Sequence, residues 1–394
     1  MEFLDKNKNN TQEEIVSIKS WDELEISRDI LRGIYSYGFE NPSPIQAKAI
    51  LPIMQGKDVV AQAQSGTGKT GAFTIGSLSR VEESLDQTQV IILSPTRELS
   101  MQILSVVEKI SDSTSIRSQL LVGGSNVDQD MQLLTSSIPH VVVGCTGRVQ
   151  DMIRRNALKT EYLKLLIVDE ADEMLADGFK EQLQNIFHVL PEKVQIALFS
   201  ATLPEYAFDD IKLFMNDPVH IIVKKEALTL EGISQYYVAL EDDNQKYETL
   251  KDLYSKLNVS QCIIYCNSIE RVINLASAMI DDGYPVCCIH GDMDKKSRDK
   301  AITDFRVGTH RVLISSNVTA RGIDIQQVSV VINFDICKSV HTYLHRIGRS
   351  GRWGRKGVGI NFVTRRDINK LRYIERYYST QVNELPMNFM ENIV

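Results

Sequence analysis

Ala61-Gln62-Ala63-Gln64-Ser65-Gly66-Thr67-Gly68-Lys69-Thr70 follows the short apolar run Asp58-Val59-Val60. A glycine-rich turn between strand and helix that ends in Lys-Thr fits a phosphate-cradling loop. In such a loop backbone N–H groups wrap the phosphates, Lys69 neutralises their charge and the Thr70 hydroxyl reaches a magnesium ion. The full pattern begins with glycine where this chain has Ala63, but Gly66 and Gly68 keep the tight part of the loop permissive. Further on, Leu165-Leu166-Ile167-Val168-Asp169-Glu170-Ala171-Asp172 sets carboxylates at the end of an apolar run. There Asp169 can hold the ion and Glu170 can orient a water. The two stretches together predict a nucleoside triphosphatase.

The chain has 394 residues, 43% of them apolar, which exceeds what one core fills and predicts two domains. No stretch approaches the roughly 20 apolar residues that span a bilayer, and residues 1–12 are Asn- and Lys-rich, so a soluble intracellular protein is expected. The six cysteines show no Cys-x-x-Cys pair and several sit in apolar runs, which predicts reduced, mostly buried thiols. Formal charge is −7. Residues 1–224 carry 21 Lys and Arg against 31 Asp and Glu, and residues 225–394 carry 23 against 20. That balance excludes a grip on nucleic acid through a broad positive field; any such binding must use a few placed groups.

Short β-branched runs alternate with helical patterns throughout, which predicts an α/β fold with parallel sheets and crossover helices. Strands are expected at 59–60, 90–93, 119–122, 141–143, 165–168, 196–199 and 220–223, and then at 235–238, 262–265, 286–289, 311–314, 328–332 and 358–362. Residues 224–232 read as a linker between two sheets. Residues 1 to about 18 are expected to be disordered.

Almost every expected strand is followed by a polar or glycine-bearing cluster. Ser94 to Glu98, Gly123-Gly124, Gly144 to Arg148 and Ser200 to Thr202 do so in the first half; Tyr265 to Asn267, His290 to Asp292 and Ser315 to Asp324 do so in the second. Ligands of open parallel sheets bind at the carboxyl ends of the strands, so within each half these clusters share one edge of their sheet. Arg346, Arg349 and Arg352 recur every three residues with glycines between. On a plain helix they would repel one another, so an anion is expected among them.

In this order, the phosphate loop, Pro95-Thr96-Arg97-Glu98, Gly123-Gly124, Asp169-Glu170-Ala171-Asp172, Ser200-Ala201-Thr202, Ala320-Arg321-Gly322-Ile323-Asp324 and the stretch from His345 to Arg352 resemble the DEAD-box RNA helicases. The likeness runs from about Trp21 to the C-terminus. Leu31 to Phe39, Val223 to Ile233 and Leu385 to Asn388 resemble in particular its translation-initiation branch or that branch's close exon-junction relative.

The resemblance implies two tandem RecA-like domains, each a parallel sheet flanked by helices. A disordered segment at 1–20 would precede an ATP-binding domain at 21–223, whose residues 21–46 recognise adenine; a linker at 224–232 and a second domain at 233–394 follow. It implies an RNA-stimulated ATPase that opens short duplexes locally in translation initiation, or alternatively an ATP-gated RNA clamp of the exon-junction kind. ATP and Mg2+ would be the cofactors. Trp21 would stack on adenine and Gln46 would read its edge. Gln64, Ser65, Gly66, Thr67, Gly68 and Lys69 would hold the phosphates, with Gly322 and Asp324 touching the nucleotide from the second domain. Thr70 and Asp169 would fix magnesium, Glu170 would activate water, and Arg349 and Arg352 would stabilise the γ-phosphate.

Pro95, Thr96, Arg97, Gly123, Gly124, Thr146, Gly147, Arg148 and Ser315 would hold RNA by its backbone. Asp172, Ser200, Thr202 and His345 would couple the two ligands. A translation-type scaffold protein, a monomeric state and a cytoplasmic or nuclear location are further implications. Three departures from the family pattern bear on RNA grip: Cys145-Thr146-Gly147-Arg148 for Thr-Pro-Gly-Arg, which loses the proline that stiffens the turn, Ser315-Ser316-Asn317 for Thr-Thr-Asp, which loses a carboxylate, and Cys337-Lys338.

Overall fold

The computed structural model describes residues 16–63, 66–176, 178–203, 213–223, 233–256, 261–317, 328–350 and 357–386. The chain divides into two units, Met1–Val223 and Lys224–Val394.

In the first unit the strands are β1 (Val59–Gln62), β2 (Val90–Leu93), β3 (Ser118–Leu121), β4 (Val141–Gly144), β5 (Leu165–Asp169), β6 (Gln195–Ser200) and β7 (Val219–Ile222). They form one seven-stranded sheet in the order β3-β4-β2-β5-β6-β1-β7, and every pair is parallel. Strands β2, β4 and β5 are buried at every residue, as unbroken Val/Ile/Leu runs covered on both faces must be. The helices are α1 (Arg28–Ser36), α2 (Pro44–Met54), α3 (Lys69–Leu78), α4 (Arg97–Ser111), α5 (Val127–Ser136), α6 (Thr146–Arg154), α7 (Ala171–Met174) and α8 (Lys180–Phe187). One apolar cluster, built from Ile50, Phe73, Ile103 and Phe199 among others, lies on one sheet face. A second, including Leu93, Met152, Leu166 and Ile186, lies on the other.

Several starts are set by short polar side chains that accept the orphan N–H groups of a first turn. Ser27 caps α1, Thr96 caps α4 and Asn126 caps α5. Helix α2 opens with Pro44 at its first position and a reciprocal box, in which Ser43 Oγ accepts from Gln46 N while Gln46 Oε1 accepts from Ser43 N. Ile18, within the stretch expected to be disordered, is buried and donates its N–H to the Ala47 carbonyl at 3.0 Å.

The second unit repeats the plan. Strands β8 (Ile233–Leu240), β9 (Cys262–Tyr265), β10 (Val286–Ile289), β11 (Val312–Ser315), β12 (Val330–Asn333), β13 (Gly357–Thr364) and β14 (Asn383–Glu384) pair in the order β10-β11-β9-β12-β13-β8-β14, all parallel. Its helices are α9 (Gln245–Lys256), α10 (Ile269–Asp281), α11 (Lys295–Arg306), α12 (Val340–Ile347) and α13 (Ile368–Tyr378). The sheets match position for position: β8 sits second from one edge, as β1 does, and β12 takes the place of β5. Both are the RecA-like arrangement. Every expected strand is present with ends shifted by a few residues, and β14 is additional. Residues 224–232, read as the linker, lie outside the described residues.

Helix α1 rests so closely on α4 that a Cβ at Gly33 would stand 1.9 Å from the Ile110 carbonyl oxygen. A backbone oxygen cannot rotate away, so Gly33→Ala is expected to force the helices apart at a cost of about 3 kcal/mol. Urea unfolding measures it, and an unchanged midpoint would mean that α1 docks elsewhere.

Candidate functional site

The phosphate loop ends on Gly68, which has φ +99° and leads directly into α3. A side chain there would also meet Ser43 Oγ at 2.8 Å and Gln46 Nε2 at 2.9 Å, so the position demands glycine twice over. Lys69, the first residue of α3, is buried, and its Nζ donates to the Ala63 carbonyl at 2.8 Å. Gly66 takes φ +80°. Thr67 and Thr70 are half-buried beside them, whereas Gln64 and Ser65 lie outside the described residues.

Gln46 Nε2 donates to the Gly68 carbonyl at 3.3 Å, so α2 is bonded to the loop that would hold phosphate. Each end of its amide keeps one further hydrogen-bonding position.

The expectation for Trp21 is corrected. Its side chain is 0% exposed and its indole N–H is given to the Phe39 carbonyl at 3.0 Å, so no ring face is left to stack on a base. Phe39 is only half-buried, and its ring and Gln46 Nε2 meet at one place, 2.8 Å and 2.5 Å from a Cβ built on Gly71. The aromatic beside the phosphate loop is therefore Phe39. Its nearness to Gln46, seven residues on across Pro42 and Pro44, was the available signal.

Opposite the loop, Asp169 ends β5 and Glu170 follows with φ +51°, a left-handed conformation rare for a side-chain-bearing residue. Asp169 accepts the Glu170 N–H on Oδ1 at 2.9 Å. Burial, then the Glu170 charge, push the Asp169 carboxyl up to about 7 against the pull of Lys69. Asp172 accepts Ser200 Oγ–H at 2.8 Å and Thr202 Oγ1–H at 2.9 Å, one on each oxygen, joining the end of β5 to the end of β6. Asp169, Glu170, Asp172, Ser200 and Thr202 are thus brought together.

Several of the residues expected to hold RNA in this unit are bonded within the unit. Thr96 caps α4, and Arg97 Nη1 donates to the Gly123 carbonyl at 3.2 Å, next to Gly124 at φ +79°. Pro95 is buried immediately before that cap. Thr146 Oγ1 donates to Gln182 Oε1 at 2.6 Å, and Gly147 is exposed beside it. Arg148 pairs with the buried Asp130 and donates to Ser125 Oγ at 2.7 Å and to the Ser125 carbonyl at 3.1 Å. Its guanidinium builds the 123–126 turn and is not a free phosphate ligand.

In the second unit Ser315 ends β11 fully buried and donates to the Ser316 carbonyl at 2.7 Å. His345 and Arg349 are buried, and Arg349 Nε donates to the His345 carbonyl at 3.4 Å. Arg352, Gly322 and Asp324 lie outside the described residues.

The expected anion among the arginines is not what holds Arg346. That side chain is turned into the unit at 0% exposure and donates to Asn317 Oδ1 at 2.7 and 2.9 Å, Asn267 Oδ1 at 2.9 Å and Asn333 Oδ1 at 3.2 Å, with the Asp335 carbonyl at 2.9 Å and the Cys266 carbonyl at 3.4 Å. Among the described residues every acceptor is neutral. Asn267, Asn317 and Asn333, each at or just past a strand end, were the signal overlooked.

Two sheets of matched order, one carrying a phosphate loop against buried carboxylates, define an ATP-driven motor of tandem RecA-like units. Residues 43–211 match the DEAD/DEAH box helicase family and residues 245–354 match the helicase conserved C-terminal domain. The chain belongs to the DEAD/DEAH box helicase family and is a DEAD-box ATP-dependent RNA helicase, an ATP-hydrolysing enzyme.

It is 50% identical to the ATP-dependent RNA helicase eIF4A of Aspergillus clavatus over 374 residues, 95% of this chain and 94% of that one. To eIF4A of Pyricularia oryzae it is 49% identical over 377 residues, 96% of this chain and 95% of that one. A solved structure of S. cerevisiae Dbp5 bound to RNA and ADP BeF3 is 36% identical with a TM-score of 0.86, covering 93% of this chain and 95% of that one.

With its pKa raised, Asp169 keeps a proton in the ligand-free fold that the unfolded chain has lost above about pH 4. This contribution to stability is complete below that value and is lost as pH rises through about 7. Asp169→Asn should therefore raise the melting temperature of the ligand-free protein by a few degrees at about pH 8 and leave it near parental at about pH 4. Equal shifts at both would disprove the burial argument. Arg148→Ala strands Asp130 and should cost about 3 to 5 kcal/mol of stability, read by urea unfolding. A variant as stable as the parent that merely binds RNA less tightly would return Arg148 to the RNA surface.

Proposed function

We propose that this chain hydrolyses ATP at the α3 phosphate loop, uses the energy to open short RNA duplexes locally, and serves translation initiation in the cytoplasm. The observation that carries the reading is the charge balance beneath that loop. Three buried carboxylates, Asp169, Glu170 and Asp172, stand side by side near the buried Lys69, and the Asp169 carboxyl is pushed up to about 7. A divalent cation fits such an excess of buried negative charge, and oxygen donors with a hydroxyl nearby suit magnesium. Asp169 and Thr70 would hold it, and when bound it would neutralise charge developing on the phosphates.

The remaining roles belong to this chain's own groups. Gly66, Thr67 and Gly68 direct backbone N–H groups at phosphate oxygens, and Lys69 leaves the Ala63 carbonyl for the β and γ phosphates. Phe39 supplies the aromatic face for adenine, and Gln46 reads its edge with the amide positions left over from the α2 box. Glu170, fixed by its left-handed backbone at the head of α7, orients the attacking water. Arg349 and Arg352 of the second unit stabilise charge on the γ-phosphate, a role typically worth about 10³ to 10⁵ in turnover.

RNA is held by its sugar-phosphate backbone at Thr96, Arg97, Gly123, Gly124, Thr146, Gly147 and Ser315, and Arg148 acts by shaping the turn that carries Gly123 and Gly124. Asp172, Ser200, Thr202 and His345 couple the two ligands. The functional unit is a monomer that works with a scaffold protein of the translation-initiation type.

The test is ATP turnover with and without single-stranded RNA, where RNA is expected to raise the rate at least about tenfold; a rate indifferent to RNA would end the reading. Glu170→Gln should retain ATP and RNA binding while turnover falls by about 10² or more. Parental hydrolysis by that variant would assign the water to another group.

A further inference from the structure

Helix α13 buries Leu371, Ile374 and Tyr378 against the unit, and its opposite face is open. That face carries Tyr373 at 54% exposure and Tyr377 at 46%, one turn apart with ring centroids separated by 6.2 Å. Arg372 and Arg376, also one turn apart, run alongside them and are exposed, as are Arg365 and Arg366 just before the helix.

Residues 365–378 hold five basic side chains and two acidic ones. The surplus of three equals the whole net charge of residues 225–394, so the rest of that half is electrically neutral. The two acids are already engaged: Glu375 accepts the Val382 N–H on Oε1 at 2.9 Å, and Asp367 takes Lys370 at 3.1 Å and the Thr364 hydroxyl at 2.8 Å. Among the described residues no carboxylate lies within ion-pair distance of Arg365, Arg366, Arg372 or Arg376.

We propose that the α13 face is an accessory RNA-binding surface, on which a long single strand lays its phosphates along the arginines and its bases on Tyr373 and Tyr377. Unpaired guanidiniums beside exposed rings on a rigid helix are what an unspecific single-strand platform requires. In a chain with a charge of −7, this is where a polyanion gains a local field without a basic molecule overall. A free polyphosphate would use the arginines but not the rings. A docked protein would be expected to bury aliphatic side chains, of which this face offers only Ile368.

The inference rests on the chain's being an RNA helicase and is tested separately from it. Binding of labelled oligouridylates of about 8 and about 30 nucleotides to the full chain is measured by anisotropy over a range of salt, with ATP turnover on the short RNA as control. Replacing both Arg372 and Arg376 by Ala should weaken the long RNA and lower the slope of log affinity against log salt by about 1.4, while Lys at both restores the slope.

The Tyr373→Ala, Tyr377→Ala double variant should weaken the long RNA about fivefold or more with the salt slope unchanged. Short-RNA affinity and turnover should stay parental in all variants. Long-RNA binding unaltered by either pair overturns the proposal. Loss with the arginine pair alone overturns the platform too, because the strand would then be held by its phosphates without stacking on the rings, and equal loss for both RNA lengths would place the effect at the hydrolytic unit.

Discussion

Charge buried at the carboxyl ends of parallel strands is the constraint that organises this protein. Ions do not leave water unless paired, hydrogen-bonded or poised for a ligand. The first unit gathers Asp169, Glu170 and Asp172 against Lys69, and the second gathers Lys246, Arg271 and Arg346 against Asp335 and Asp243. The first edge thus gathers buried carboxylates near one lysine, while its topological counterpart binds its cations to carboxylates and amides of its own, and each arrangement is held in a rigid sheet. The left-handed Glu170 and the raised Asp169 belong to this cost, which a stable fold bears only where function requires it.

The same comparison explains why one unit alone offers a nucleotide site. Strand β8 leads into α9 as β1 leads into α3, and Lys246 stands in the first turn of that helix as Lys69 does in its own. But the connection from β8 is Glu241-Asp242-Asp243-Asn244 rather than a glycine loop, and it is acidic. Lys246 Nζ already bonds Asp335 at 3.0 Å and Asp243 at 2.7 Å, while Arg271 takes Asp335 at 2.8 Å through both Nε and Nη2. The lysine and carboxylate equivalent to Lys69 and Asp169 have closed upon each other, and an acidic loop repels phosphate where a glycine loop would wrap it.

Much of this was legible in the chain. Runs such as Val90 to Leu93 and Cys262 to Tyr265 give strands with the ends read from sequence, because buried parallel strands need apolar residues on both faces. Strand ends moved where pairing outran composition: Ser118 is polar but faces Val141, and Ser315 pairs with Tyr265. Strand β14 could not be seen, since its two exposed residues carry no apolar signal and exist as a strand only through β8.

Trp21 was the larger aromatic and so the natural choice for stacking, yet size is also what a core uses, and only coordinates tell a ring with a free face from one without. Arg148 and Arg346 failed in the same way. A cation in a functional motif reads as a ligand for phosphate until its own neighbours are known.

Arg346 also shows what Asn317 does in this chain. A carboxylate there would form a buried ion pair, whose Coulomb gain is largely spent on desolvating two ions. An asparagine accepts the same two N–H bonds, desolvates one ion instead of two, and leaves the positive charge uncancelled. The guanidinium, held over the Tyr265 ring at 5.1 Å and tied to the ends of β9 and β12 and to Asn317 just past β11, keeps those strand ends in register. Its field extends to the carboxyl edge of the sheet. Stability comes from the number of neutral bonds, attraction from the absence of a counter-ion among the described residues, and one amide side chain provides for both.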